Sequence, residues 1–289
     1  MIGGTGFIGS HLVRRIASLG HTVAIYHRGQ TRADIPADVL EILNPLSLTP
    51  IDKFPRQLFE FEPEIIVHTM AMGAADAEAA VTAFAGLARR LVLLSSGDVY
   101  LAYGRFTGIE PGPIIEGLLS EDSPLRTKLF PYRKRASSSE SLEHWYEKIL
   151  AEEVVLSNGS LPGTVLRLPK VYGPGGNADL ATVYKYRHQP NWRWTHGYVE
   201  NVAAAIALAA TSPSASDRVY NVGEAHTPTI AERLESMPPS VIGPDHNTEF
   251  NFSQNIAYDT SRLRNELGFR EVISEQEAML KTLGCHRHL

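Results

Sequence analysis

Three glycines, Gly3, Gly6 and Gly9, stand at three-residue spacing in GGTGFIGSHL, with a helical pattern directly behind them. Glycines so placed permit a tight turn and let backbone N–H groups approach a pyrophosphate, whose charge then rests on the helix N-terminus. Phe7 and Ile8 would open that helix, and an apolar strand begins at Val23, so the strand, turn and helix context of a dinucleotide loop is largely met. A merely flexible glycine-rich start is the other reading. Only Met1 and Ile2 precede Gly3, whereas a strand usually runs about five residues. The first strand is therefore expected to be a stub, either because the true start lies upstream or because the protein tolerates a shortened central strand. After the next strand, where a dinucleotide fold commonly offers a carboxylate to the ribose, this chain has Tyr26, His27, Arg28 and Gly29. His27 and Arg28 are expected to line the cofactor. Arg28, with Arg32, can pair with a ribose 2′-phosphate, with no carboxylate there to repel it. NADP(H) is expected in preference to NAD(H), a solvated loop arginine being the other reading of Arg28.

The elements that would position these residues follow from hydropathy. Val23–Tyr26, Ile65–His68 and Leu91–Leu94 are short apolar runs and read as buried strands. Ser10–Leu19 spaces Leu12, Ile16 and Leu19 as a helix and stops at Gly20, and the alanine-rich Ala74–Ala88 is a strong helix former. Strand and helix in alternation imply right-handed crossovers and a parallel sheet covered on both faces. Later strands are expected at Thr164–Leu168 and Arg218–Val222, and later helices at Trp145–Leu156, Val199–Ala210 and Ser261–Leu267. Gly104, Gly108, Gly112 and Gly117, with Pro111, Pro113 and Pro124, predict a long loop beside a site over Leu101–Pro131. Residues 211–217 and 236–248 read as connectors, and no internal repeat is found.

Composition narrows the function classes. The chain has 289 residues, 43% hydrophobic and 20% charged, which is globular usage and suits one large or two modest domains. A net charge of −5 leaves no basic excess to neutralise a duplex, so no nucleic-acid partner is expected. The single cysteine, Cys285, excludes an internal disulfide framework and a multi-cysteine zinc site, and it suits the reducing cytoplasm. His286 and His288 read as solvated tail residues, and no metal is assigned. No apolar run reaches the roughly 18 residues of a spanning helix, and the start lacks a signal-peptide pattern.

GGTGFIGSHL, LLSSGDVY (Leu93 to Tyr100), LRLPKVYGPG (Leu166 to Gly175), YNVG (Tyr220 to Gly223) and YDTSRLRNELGF (Tyr258 to Phe269) together resemble the extended short-chain dehydrogenase/reductase family, also called the NAD-dependent epimerase/dehydratase family. The resemblance runs over nearly the whole length. It implies a doubly wound α/β, Rossmann-type parallel sheet over residues 1–168. A small C-terminal substrate lobe would occupy 169–289, with 199–223 returning to the first domain. It implies that Gly3, Gly6, Phe7, Ile8 and Gly9 cradle the pyrophosphate, that Ala71, Met72 and Ser95 line the cofactor, and that Pro169, Lys170 and Val171 flank the nicotinamide. Ser96, four residues before Tyr100, takes the place of the family's catalytic hydroxyl, which hydrogen-bonds the reacting oxygen. A homodimer packed through Ala74–Ala88 and Trp145–Leu156 is a further implication, by analogy alone.

The family's catalytic pair is Tyr followed four residues later by Lys on one helix face, where the ammonium favours the phenolate and orients the ribose. Here no Tyr has a Lys four residues on. Tyr132 in FPYRKRA matches the tyrosine half but has Ala136 in the lysine place; Lys148 in KILAEE matches the lysine half but has His144 in the tyrosine place. Tyr146, two residues before Lys148, would lie about 200° away on a regular helix at roughly 100° per residue. If the helix begins only near Lys148, Tyr146 lies in the turn leading into it and can still reach the nicotinamide. His144 could instead supply the proton, since imidazole titrates near neutrality. Tyr146 ranks first and Tyr132 and His144 follow; packing tyrosines without chemistry are the remaining reading. The segment Gly176–Gly197 is short for a sugar-nucleotide member, which allows a smaller substrate. Arg193 stands where a substrate-pairing arginine is expected, and Trp192 and Trp194 read as core or pocket. The expected function is NADP(H)-dependent hydride transfer at a secondary alcohol or ketone of a small or sugar-like substrate. A dinucleotide-binding sensor or scaffold without turnover, and a non-redox lyase or isomerase using His144, are the alternatives.

Overall fold

The computed structural model describes residues 1–45, 49–177, 180–245 and 249–284. Cys285, His286 and His288 lie outside the described residues. In chain order the elements begin with α1 (Phe7–Ser18), β1 (Ala24–His27), β2 (Leu40–Leu43), α2 (Arg56–Glu60), β3 (Ile65–His68), α3 (Ala74–Phe84) and β4 (Arg90–Ser96). They continue with α4 (Leu101–Phe106), α5 (Leu142–Trp145), α6 (Lys148–Ser157), β5 (Gly163–Leu168), β6 (Lys170–Tyr172), α7 (Ala181–Lys185) and β7 (His196–Tyr198). Last come α8 (Val199–Thr211), β8 (Arg218–Asn221), α9 (Ile230–Glu235), α10 (Ser261–Leu267) and α11 (Glu275–Gly284). The chain divides into two compact units, one of Met1–Ser96, Leu129–Arg167 and Ala203–Tyr220, the other of Gly97–Lys128, Leu168–Val202 and Asn221–Leu289. Residues 97–128, which the sequence reading kept with the cofactor domain, thus cluster with the second unit.

The first unit is the α/β half. Strands β3, β4, β5 and β8 hydrogen-bond in that order, and β1 pairs with β2 in parallel register. The stub joins the two sets, because Ile2 bridges Tyr26 on one side and His68 on the other, both in parallel sense. Its pairing is complete over the residues it has. Ile2 N donates to Val67 O at 2.9 Å, Gly3 N to Tyr26 O at 2.8 Å, Tyr26 N to Met1 O at 2.9 Å, and Thr69 N to Ile2 O at 3.0 Å. The strand order therefore reads β2, β1, stub, β3, β4, β5, β8, and it reverses at the stub. That reversal is where doubly wound sheets bind ligands, at the carboxyl ends of the strands. The two or three residues present are the ones that carry the glycine loop. Helix α1 buries Leu12, Val13 and Ile16, while Ala77, Ala80, Val81 and Phe84 of α3 join Ala151 and Val155 of α6 in one core.

The helix expected over Trp145–Leu156 is two helices with a break. Tyr146 is extended (φ −67°, ψ 107°), and Glu147 (φ −153°, ψ 91°) caps α6 by accepting from Ile149 N at 3.1 Å. The expected helix over Ala74–Ala88 stops at Phe84, since Ala85 turns extended and Gly86 takes φ +76°.

The second unit holds the short parallel pair β6–β7, in register Lys170 to His196 and Tyr172 to Tyr198. Its core is aromatic: Phe106 stacks on Trp192 at 4.9 Å and on Phe250 at 4.8 Å. That burial corrects the expectation of a continuous loop over Leu101–Pro131. Residues Leu101–Phe106 form α4, because seating Phe106 and Ala102 in the core outweighs the helix cost of Gly104. Among the described residues, no helix is long and apolar enough to cross a membrane.

Candidate functional site

The glycine loop leaves the stub in a backbone conformation that side chains resist. Gly3 has φ +89°, and a Cβ there would lie 2.0 Å from Thr69 Oγ1. Gly9 is needed for a different reason: its Cβ would come within 2.8 Å of Gly4 Cα, where the helix packs on the loop. Gly6 differs from both. It is exposed, and a Cβ on it would meet nothing within 4 Å. Gly6 is also the N-cap of α1, with no side-chain cap and no acidic residue in the first turn. The positive end of the helix is thus open toward a bare backbone, an arrangement that fits a pyrophosphate. Phe7 and Ile8 are half-buried in that first turn.

At the end of β1, Arg28 is exposed. His27 is engaged: its Nε2 lies 3.0 Å from Glu41 Oε2, and its Nδ1 accepts from Gly29 N at 3.2 Å. The expectation that no carboxylate stands here is therefore corrected. Glu41 comes from β2, pairing opposite Ile25 in the sheet, so it was invisible to a search along the residues after β1.

The second cluster gathers around Lys148, at the start of α6. Its Nζ donates to Ala71 O at 2.6 Å and to Leu94 O at 3.0 Å, which ties the loop after β3 to β4. The ammonium lies 5.7 Å from the centre of the Tyr146 ring, and Tyr146 meets Tyr132 edge-on at 5.0 Å. Because α6 begins at Lys148, Tyr146 sits in the turn leading into the helix, and the 200° separation of a continuous helix does not arise. Tyr146 thus meets both Lys148 and Tyr132, the latter from fourteen residues earlier in the sequence. His144 instead meets Trp145 edge-on at 5.2 Å in α5. Ser96 closes β4, two residues beyond the carbonyl that holds Lys148, and is half-buried.

Three supporting carboxylates escaped the sequence reading. Asp76, fully buried in the first turn of α3, accepts from Ile51 N at 2.6 Å, Met72 N at 3.0 Å and Gly73 N at 3.2 Å, and so shapes the loop that presents Ala71 and Met72. Burial raises its carboxyl above the ordinary range, against the pull of those N–H groups. An aspartate three residues after Gly73 is a helix-start signal that could have been found. Glu147 is buried, caps α6, accepts from Phe130 N, and gives its own N–H to Met72 O at 2.7 Å. Glu152 forms a buried pair with Arg167 at 2.7 Å and accepts from the Ser95 hydroxyl. The Ser95 hydroxyl is thus engaged in the core, which leaves its backbone for the cofactor contact expected of it.

In the second unit, Pro169 and Val171 flank Lys170 at the start of β6, and Val171 pairs with Gly197. The Lys170 ammonium lies 5.4 Å from the Trp194 ring, and burial lowers its pKa. Arg193 donates to Thr227 O and stands 3.6 Å from Glu232, so it is committed within its own unit. Trp192 is core, donating from Nε1 to Gln254 O at 2.8 Å. Among the described residues, no three His, Cys, Asp or Glu side chains cluster as metal ligands would.

Residues 1–85 match the NAD dependent epimerase/dehydratase family. No curated protein matches the sequence. Solved structures are similar over the full length. An epimerase from Methanothermobacter thermautotrophicus has a TM-score of 0.71 at 15% identity, covering 99% of this chain and 91% of that one. The UDP-glucose 4-epimerase of Thermotoga maritima, solved with UDP-glucose, gives 0.68 at 16%, covering 99% and 97%. That of Thermus thermophilus, in complex with NAD, gives 0.67 at 22%, covering 99% and 97%. The family resemblance carried by the motifs is thus matched over the glycine-loop segment, and the doubly wound α/β fold over the whole chain.

Proposed function

We propose that this chain is an NAD(P)-dependent oxidoreductase of the epimerase/dehydratase type, acting on a secondary alcohol or ketone of a small or sugar-like substrate. The observation that carries the reading is the Lys148 ammonium, held by Ala71 O and Leu94 O with its charge 5.7 Å from the Tyr146 ring. A cation there stabilises negative charge developing on the phenol oxygen, so Tyr146 can pass a proton to or from the reacting oxygen. The Ser96 hydroxyl orients that oxygen. The bare backbone at Gly6 and the N-terminus of α1 hold the pyrophosphate, with Ala71 and Met72 beside the cofactor and Pro169 and Val171 flanking the nicotinamide. When bound, the dinucleotide supplies or accepts the hydride at nicotinamide C4. Arg28 gives NADP(H) the advantage through a charge-assisted bond to the 2′-phosphate, with Glu41 opposing it. The reading includes a homodimer packed through α3 and α6, which light scattering reads directly; a monomer at micromolar concentration counts against that part.

The test is oxidation of NADPH in the presence of a carbonyl panel that includes UDP-sugar ketones. Wild type turns over at least one member, and Tyr146→Phe loses roughly 10²–10⁴-fold in kcat while still binding the dinucleotide. Equal turnover in Tyr146→Phe removes Tyr146 from the chemistry.

A second reading, a dinucleotide-binding sensor without turnover, is favoured by one observation: Lys148 is buried, with two of its donors on main-chain carbonyls. It predicts tight dinucleotide binding and no oxidation with any carbonyl.

A further inference from the structure

The second unit encloses a cavity of about 380 Å³ between β7, the chain after β8 and the start of α11, near the lower end of the roughly 300–1,000 Å³ of small-molecule sites. None of its lining residues belongs to the glycine loop or to the Lys148 cluster. Two sets of its polar groups bear on what it can hold. The first is already satisfied. Glu224 pairs with Arg233, Glu271 with Arg264, and Asn201 is bonded through both side-chain atoms, to Ile273 O at 2.8 Å and from Ile273 N at 2.9 Å.

The second set is not. His196 is 1% exposed, and its Nδ1 lies 2.7 Å from Trp194 O. A carbonyl accepts, so Nδ1 carries the hydrogen, and in the neutral ring Nε2 is a bare acceptor. That Nε2 is buried with no hydrogen-bond partner among the described residues. Burial, with the charges of Arg233 and Lys170, holds the ring well below its usual pKa, so it stays an acceptor at neutral pH. Tyr172, whose ring is 6.2 Å from that of His196, lines the same cavity, and its hydroxyl has no partner among the described residues. Burial and the nearby Glu224 keep this phenol protonated, as a donor.

An unmet buried acceptor costs on the order of 1–3 kcal/mol, and an occupant that donates to Nε2 and accepts from the phenol would offset that cost. Charge selects the class. The lining contains no Lys or Arg to meet an anion. Two of its three carboxylates are paired, and the third, Glu275, is exposed. Neutral O–H groups fit this balance, since a hydroxyl both donates and accepts. The rings of Tyr172 and Tyr198, 5.7 Å apart, and of Phe269 supply apolar faces for the C–H surface of such a molecule.

We infer that the second unit carries a binding pocket for a neutral polyhydroxylated ring of monosaccharide size, with His196 Nε2 accepting from one of its hydroxyls and the Tyr172 hydroxyl donating to another.

The experiment is ligand-observed NMR on the full chain with myo-inositol, D-glucose, D-galactose, methylammonium and inorganic phosphate as probes, alongside the ¹⁵N resonances of the His196 ring. At least one polyol is expected to bind and to move the Nε2 resonance. Tyr172→Phe, which keeps the ring and its packing, is expected to weaken that binding about three- to tenfold, the loss of one hydrogen bond. The wild-type Nε2 resonance reports on the site without any variant. Three results overturn the inference: no polyol binding at tens of millimolar with only water in the cavity, polyol binding that leaves His196 unmoved and is equal in Tyr172→Phe, or methylammonium or phosphate binding in preference to the polyols.

Discussion

Arg28 and Tyr146, proposed to select the dinucleotide and to move the proton, both stand outside regular elements, just past β1 and between α5 and α6. Arg28 is exposed at the end of β1, beside a histidine already bonded to Glu41. Arg28→Ala is therefore expected to lower NADPH affinity about tenfold, the order of one charge-assisted hydrogen bond, and to leave NADH affinity unchanged in fluorescence titrations. A parallel loss for both cofactors would place Arg28 outside the 2′-phosphate site. Glycines were the most legible residues, because a positive φ at Gly3 and a close approach at Gly9 admit nothing larger. Glu41 was not legible. It reaches His27 through strand pairing across fourteen residues of sequence, and no local spacing encodes that contact.

At the scale of elements, the start of α6 decides where Tyr146 points. Glu147 ends the preceding turn, caps the helix and anchors both Met72 O and Phe130 N. Glu147→Ala should destabilise the chain by about 1–3 kcal/mol in urea denaturation, through the lost cap and the unmet donors, while Glu147→Gln, which keeps an acceptor oxygen, should lose less. Equal stability of Glu147→Ala and wild type would show that the break in the helix has another cause. The break is readable only by its consequence. The sequence pattern starts the helix at Trp145, whereas the buried Glu147 carboxylate caps it and sets its start at Lys148. In the same way, aromatic burial made α4 a helix despite four glycines and three prolines nearby, an outcome of tertiary packing that local composition opposes.

At the scale of the molecule, the alternation of strand and helix was sufficient to indicate a parallel sheet covered on both faces, and the family motifs supplied its doubly wound order. The strand positions shifted by one or two residues at most, since short apolar runs leave a buried strand little choice. His68, inside that sheet, gives the fold a pH signature: burial, aided by the Lys148 charge, pushes it down to about 3 from 6.5. The unfolded chain takes the proton near 6.5 and the folded chain does not until about 3, so stability is lost as pH falls through that window, by up to about 1.4 kcal/mol per unit. His68→Leu should flatten the dependence of urea stability on pH between 6 and about 4, and an unchanged slope would mean that other groups set it. A dinucleotide held at the glycine loop is open to test at Gly6, because a side chain there meets open space and φ −76° suits any residue. The measurement is a fluorescence titration of wild type and Gly6→Asp with NADPH and NADH. Wild type is expected to bind both, NADPH more tightly, and Gly6→Asp to lose both while keeping its thermal midpoint; failure of wild type to bind either, or undiminished binding in Gly6→Asp, would rule out a dinucleotide at this loop.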